Sequence, residues 1–225
     1  MFRKKVIISC ATILYMAATA GTVAGAEYNG GLMLGYSGGP GFQFNGLVSD
    51  ISPGFPMSLR LALGYTSVDP GNAAGARKIF INDATNGTPQ QKGWYWDFRF
   101  DFIYQLRAEK FRNFSLYLGP RFAKYTANFN FIGGNENFDV TSNQWGLGFG
   151  MDGVFAMSSR ANLVLTGGLD YYAEGKLSGH DTSYSPDGED VNGRNDYTYA
   201  DADEVINQPK WEPRIMIGVS YRFGH

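Results

Sequence analysis

Residues 93–107, GWYWDFRFDFIYQLR, put a large apolar or aromatic side chain at every even position. Trp94, Trp96, Phe98, Phe100, Phe102, Tyr104 and Leu106 make up that series, and Tyr95, Asp97, Arg99, Asp101, Ile103, Gln105 and Arg107 make up the other. Successive side chains of a strand point to opposite faces, so a period of two predicts one long β-strand with an oily face and a charged face. A soluble barrel would turn the rings inward, and a membrane barrel would turn them outward to lipid. The remaining strands decide which.

The same alternation recurs along the chain. Met57, Leu59, Leu61, Leu63 and Tyr65 share a face, as do Phe114, Leu116, Leu118 and Phe122. Trp145, Leu147, Phe149, Met151, Phe155 and Met157 form a third series, and Leu163, Leu165, Leu169 and Tyr171 a fourth. The last runs through Trp211, Ile215, Ile217, Val219, Tyr221 and Phe223, and weaker strands are expected at 30–37 and 42–49. The expectation is all-β: a closed antiparallel eight-stranded transmembrane β-barrel. An eight-stranded lumen is only just wide enough to be filled by ordinary side chains, so this many rings must lie outside. The opposite faces are rich in Gly, Ser, Ala and Thr, which a narrow interior can hold. Pro120 and Pro213 fall inside strands, where a missing donor predicts bulges or later strand starts.

The inferred inner faces also carry charge. Arg60, Arg99, Arg121, Arg214 and Arg222 stand against Asp97, Asp101, Asp152, Asp170 and Glu212. Ions in a narrow low-dielectric space are costly unless paired, so a self-neutralising structural plug is expected, with a selectivity ring in a pore as the alternative.

Residues 1–26 combine Arg3, Lys4 and Lys5, an apolar middle and small residues Ala24, Gly25 and Ala26, which together predict a secretory signal peptide cleaved near Ala26. Residues 27–225 then form one domain. Cys10 is the only cysteine, and it lies too early for a lipoprotein signal. No disulfide or thiolate metal site is therefore expected in the mature chain. Removal of three basic residues leaves 19 − 3 = 16 Lys and Arg against 21 Asp and Glu, a net charge of −5. Without a basic patch, nucleic acid is not an expected partner.

The connections are unequal. At one end they fall at 52–56, 107–113 and 158–160 and are short. At the other end, after a short link at 38–41, they span 68–92, 129–139 and 175–209. Short inner turns and long outer loops are the asymmetry of outer-membrane barrels. Aromatics near strand ends, including Trp94, Trp96, Trp145 and Trp211, suit an interfacial girdle.

Catalytic chemistry has few residues to draw on. His180 has Ser178, Asp181 and Ser183 nearby in sequence, a set that a lipid-modifying acyl transferase could use, but adjacency is not triad geometry. Residues 175–209 hold eight carboxylates, among them Asp187, Glu189, Asp190 and Asp203, and hard cations take oxygen ligands. The loop lacks the spacing of a calcium hand, so it reads as a hydrated cover, and no cofactor or metal is expected.

At 211–223, WEPRIMIGVSYRF, alternating hydrophobics counted back from Phe223 resemble the assembly signal of bacterial outer-membrane barrels. The mature chain resembles the broad outer-membrane protein A-like β-barrel group. That resemblance implies the bacterial outer membrane, lipopolysaccharide as neighbour, a monomer, and recognition of Ile217, Val219, Tyr221 and Phe223 by the barrel assembly machinery. Gly224 and His225 after Phe223 depart from the pattern. Two roles are compatible with these features: a structural or surface-interaction barrel meeting an extracellular ligand through its long loops, and a narrow channel for ions or small solutes.

Overall fold

The computed structural model describes residues 25–84, 86–106 and 108–223. Residues 1–24, which hold all but the last two residues of the expected signal segment and include Cys10, lie outside the described residues, as do Thr85, Arg107, Gly224 and His225. The described residues form ten strands: β1 (Glu27–Ser37), β2 (Pro40–Ser49), β3 (Met57–Val68), β4 (Thr88–Gln105), β5 (Phe114–Ile132), β6 (Asn137–Ala156), β7 (Ala161–Tyr172), the short β8 (Leu177–Ser178) and β9 (Ser183–Tyr184), and β10 (Trp211–Phe223). Helix α1 spans Ala73–Phe80 and helix α2 spans Tyr199–Val205.

Each long strand pairs antiparallel with its sequence neighbour, except that β7 pairs β10 across the short elements. Pairing of β1 with β10, from Tyr28 opposite Phe223 to Ser37 opposite Arg214, closes an eight-stranded barrel. Closure leaves no strand edge within the wall, so its backbone polar groups are satisfied inside the ladder, as lipid demands.

The faces divide as the alternation predicts. Along β4, Asp97, Arg99 and Asp101 are each 1% exposed, whereas Trp96, Phe98 and Phe102 are exposed. Leu118, Leu147, Phe149, Ile215 and Ile217 continue this outer apolar band around the barrel. Rings bound it above, where Phe122 meets Trp145 at 5.0 Å and Tyr171 meets Trp211 at 4.6 Å. Below, Tyr221 meets Phe223 at 5.4 Å and Phe114 meets Phe155 at 6.1 Å. Aromatic girdles of this kind mark the two edges of a lipid-facing band.

Two sequence expectations are corrected. Pro120 and Pro213 introduce no bulge: Pro120 lies opposite Leu147 and Pro213 opposite Leu169 in uninterrupted register. The β4–β5 ladder skips the pairs beside Pro120 and then resumes in the same register, Arg99 opposite Arg121 and Phe102 opposite Leu118. A missing donor there removes a bond without inserting a residue.

The outer connections also differ from expectation. β4, β5 and β6 run on well above the upper girdle, so 129–139 is mostly paired strand and 68–92 contains α1 and the start of β4. In this extension the alternation is inverted, with mostly polar outward side chains and the apolar Tyr125, Ala127, Phe129, Phe131, Phe138 and Val140 inward, so the apolar outer series used to place the other strands stops short of it. Asn72 starts α1, its Oδ1 accepting from the Gly75 amide at 3.1 Å. Thr198 and Asp201 cap α2 reciprocally, the arrangement that satisfies two otherwise orphaned amides.

Candidate functional site

Inside the barrel the charged side chains form one alternating chain. Asp152 Oδ2 lies 2.6 Å from Arg60 Nη1, and Arg60 Nε lies 2.8 Å from Asp101 Oδ2. Asp101 Oδ1 is 2.6 Å from Arg121 Nη1, whose Nε is 2.9 Å from Asp170 Oδ1. Asp170 Oδ2 is then 2.8 Å from Arg99 Nη2, and Arg99 pairs with Asp97. Every arginine in the chain bridges two aspartates, and the chain begins and ends on a carboxylate. It therefore carries one more negative than positive charge.

Arg214 restores neutrality. It is 4% exposed in the same lumen, and its guanidinium donates to Gln43 Oε1 and, at 3.4 Å, to Ser37 Oγ. Thr166 donates to Asp152 Oδ1 at 2.7 Å, closing the lower end. Tyr117 lies beside the network, its ring centroid 4.8 Å from the Arg60 guanidinium and 6.0 Å from that of Arg121. Buried charges survive only when paired or hydrogen-bonded, and all eight here have such partners.

Small wall residues make the space. A Cβ on Gly148 would overlap the Asp170 carboxylate and the Arg121 guanidinium, and one on Gly150 or Gly168 would overlap the Tyr117 hydroxyl. The glycines of GLGFG are thus positions over which long lumen side chains fold.

Two of the ten charges expected in the lumen stand apart from the network. Arg222 is at the lower rim, half-buried, with Nη1 3.3 Å from Glu27 Oε1 and Nη2 donating to the Ser159 carbonyl at 2.7 Å. It is near the end of β10, where the wall no longer encloses the side chain. Glu212 is at the opposite mouth, half-buried, and accepts the Lys210 amide at 3.2 Å.

Above the charges the lumen is closed by a tyrosine and amide layer. Tyr95 donates to the Ser37 carbonyl at 2.5 Å and Tyr125 to the Pro70 carbonyl at 3.2 Å. Gln144 donates to the Pro209 carbonyl at 2.8 Å, and Ser142 to Gln208 Oε1 at 2.9 Å. The outer connections are thereby tied to the barrel wall.

Over that layer lies a second hydrophobic core. Ala76, Ile79 and Phe80 of α1, Leu177 and Tyr184 of the β8–β9 hairpin, Ala202 and Ile206 pack with Phe129, Phe138 and Val140 on the inner face of the tall strands. Phe80 meets Tyr184 edge-on at 5.5 Å. Residues 175–209 are therefore a folded cap with its own core, in place of the hydrated cover expected from its charge. Arg77 is buried there, donating to Asn86 O at 2.7 Å and Asn86 Oδ1 at 2.9 Å. At the cap surface Arg194 Nη2 reaches Asp83 Oδ2 at 2.9 Å, joining the two longest connections. That guanidinium holds the Asp83 carboxyl below the ordinary carboxylate range, and burial raises the Tyr199 hydroxyl.

His180 Nδ1 lies 2.8 Å from Asp181 Oδ2, both at the exposed surface, while Ser183 is buried in β9. Among the described residues the histidine pairs with this carboxylate, and neither Ser178 nor Ser183 is hydrogen-bonded to the histidine. Among the described residues no cluster of three or more acidic or histidine side chains is arranged to hold a metal. Ile217, Val219, Tyr221 and Phe223 all project from β10 to the outer face. Sequence reading missed the roles of Gln43, Tyr95, Tyr117 and Tyr172 as lumen packing, although each belongs to the inward series of its strand.

No family model matches the chain, and no curated protein matches it. Among solved structures, a major outer membrane protein from Thermus thermophilus is similar at 22% identity, covering 88% of this chain and 99% of that one, with a TM-score of 0.71. Neisserial surface protein A matches at 13% identity over 88% of this chain and 97% of its own, TM-score 0.39. CarO of Acinetobacter baumannii matches at 14% over the same shares, TM-score 0.40. The chain therefore has the closed eight-stranded antiparallel fold found in bacterial outer-membrane barrel proteins.

Proposed function

We propose that this protein resides in the bacterial outer membrane after signal-peptide cleavage near Ala26 and acts there as a structural and surface-interaction barrel, displaying a rigid folded cap to the exterior. The single observation that carries this reading is the joining of a filled lumen to a packed cap. Arg99, Arg121, Asp97, Asp101 and Asp170 are each at most 1% exposed, and the tyrosine layer and the cap core lie directly above them. A barrel filled in this way is an anchor, and its rigid outer part is the surface available to partners. Ile217, Val219, Tyr221 and Phe223 would be read by the barrel assembly machinery during insertion, and the protein would act as a monomer without a cofactor.

Planar-bilayer conductance of the refolded protein tests the proposal. Negligible conductance, with cell-surface binding lost when the cap is removed, is the expected result. Steady ion-selective steps from the intact protein would favour a channel instead.

A further inference from the structure

The three tall strands present a flat outward face above the upper girdle, and their register fixes its layout. Lys124 of β5 lies between Trp96 of β4 and Asn143 of β6, one step above the Phe122–Trp145 contact. The next outward row is Trp94, Thr126 and Thr141, and the row above it is Lys92, Asn128 and Asp139. Lys92, Lys124, Asn143 and Asp139 are exposed, whereas Thr126 is only 9% exposed beside Trp94. Asn128 Nδ2 donates to Asp139 Oδ1 at 2.7 Å, and among the ion pairs of the described residues neither Lys92 nor Lys124 takes part.

This face is continuous with the lipid-facing band of the same strands, so whatever lipid covers Phe98, Phe122 and Trp145 carries its headgroup up against Trp96, Lys124 and Asn143. On the other side of the barrel β7, β10, β1, β2 and β3 end near the girdle and offer no such wall. The charge also differs from the rest of the exterior: the face named here holds two lysines and one aspartate, whereas 175–209 holds eight carboxylates against Lys176 and Arg194. Indole faces pack on the apolar faces of sugar rings, amides and hydroxyls bond sugar hydroxyls, and ammonium groups pair with phosphate.

We infer that the outward face of β4–β5–β6 just above the girdle is the seat for the phosphorylated saccharide headgroup of an outer-leaflet glycolipid, with Lys124 and Lys92 pairing phosphate and Trp94, Trp96, Asn128 and Asn143 meeting the sugars. This rests on the outer-membrane reading proposed above. The acyl chains lie on the apolar band below, so the ligand is membrane-borne rather than a free sugar phosphate.

The test uses full-length mature protein refolded in detergent micelles and titrated with purified lipopolysaccharide lacking its outer polysaccharide, bound lipid being counted by native mass spectrometry. A basic residue beside an anionic lipid surface contributes about fivefold in affinity. The double variant Lys92→Ala/Lys124→Ala should therefore bind roughly twenty- to thirtyfold more weakly, and Lys110→Ala/Arg112→Ala at the opposite end should bind like the intact protein. Enzymatic removal of the phosphates should abolish the difference between the intact protein and the Lys92/Lys124 variant. Equal binding of the phosphorylated lipid by those two proteins overturns the inference, as does equally tight binding of the deacylated headgroup. Heat-dependent gel mobility is measured on every sample: its absence from the intact protein would sink the barrel-in-membrane reading itself, while its presence with equal lipid binding sinks only the seat.

Discussion

Asp170 stands between two arginines, its Oδ1 2.9 Å from Arg121 Nε and its Oδ2 2.8 Å from Arg99 Nη2, so this one carboxylate joins the upper and lower halves of the lumen chain. Removing one member of a buried ion pair leaves uncompensated charge and costs about 3–5 kcal/mol. Asp170→Ala should lower unfolding stability in lipid vesicles by that amount, measured by urea titration of tryptophan fluorescence. Arg222→Ala, at the exposed rim, should cost less than about 1 kcal/mol. Equal effects would mean that the lumen is wet enough to screen its charges.

The wall glycines give a second contrast. Gly148→Ala places a methyl group against Asp170 and Arg121, whereas a methyl group at Gly167 meets nothing within 4 Å. Overpacking of a filled interior costs about 1–3 kcal/mol. Gly148→Ala should therefore unfold at lower urea than the parent protein, and Gly167→Ala should stay within about 0.5 kcal/mol of it.

The cap should unfold separately from the barrel. Phe80→Ala empties the contact with Tyr184 in a core outside the membrane band, a truncation worth about 3–5 kcal/mol where a site cannot collapse. The expected outcome is faster proteolysis within 185–197 with unchanged heat-dependent gel mobility. Loss of that mobility shift in the variant would show that cap and barrel fold as one unit.

The Asp83–Arg194 contact predicts an acid-sensitive link between the two long connections. Arg194 holds the Asp83 carboxyl below its ordinary value, so the folded cap binds the proton less readily than the unfolded chain does. The contribution is then fully present above about pH 4 and is lost as pH falls through the lower folded value. Hydrogen exchange of amides in 78–83 and 190–197 should quicken below about pH 4 in the parent protein, and Asp83→Asn should show the faster exchange already at neutral pH. An unchanged profile in Asp83→Asn would remove the link.

The alternation of GWYWDFRFDFIYQLR and its counterparts by itself determined the strands, their two faces and the side that meets lipid, because side-chain direction in a strand depends only on parity along the chain. Eight of the charges in its inward series lie buried in the lumen, since such a residue away from the strand ends can only face the space that the closed wall encloses.

Parity says nothing of partners. Arg60 pairs with Asp101 and Asp152, 41 and 92 residues away, and only barrel closure and register bring those strands to the same height. Arg222 shares the parity of Arg214 yet lies at the rim, because height along the axis, unlike face, is set by neighbouring strands. In the upper parts of β5 and β6 the alternation is present but inverted, with Tyr125, Ala127, Phe129, Phe131, Phe138 and Val140 inward and polar residues such as Asn128 and Asp139 outward, so the apolar outer series that marks the membrane-facing strands does not extend into them. In the cap, Phe80, Leu177, Tyr184 and Ile206 are scattered through polar sequence with neither a two- nor a four-residue period. Their common core exists because the tall strands offer an apolar inner face, and burial against that face, rather than any local pattern, gathers them.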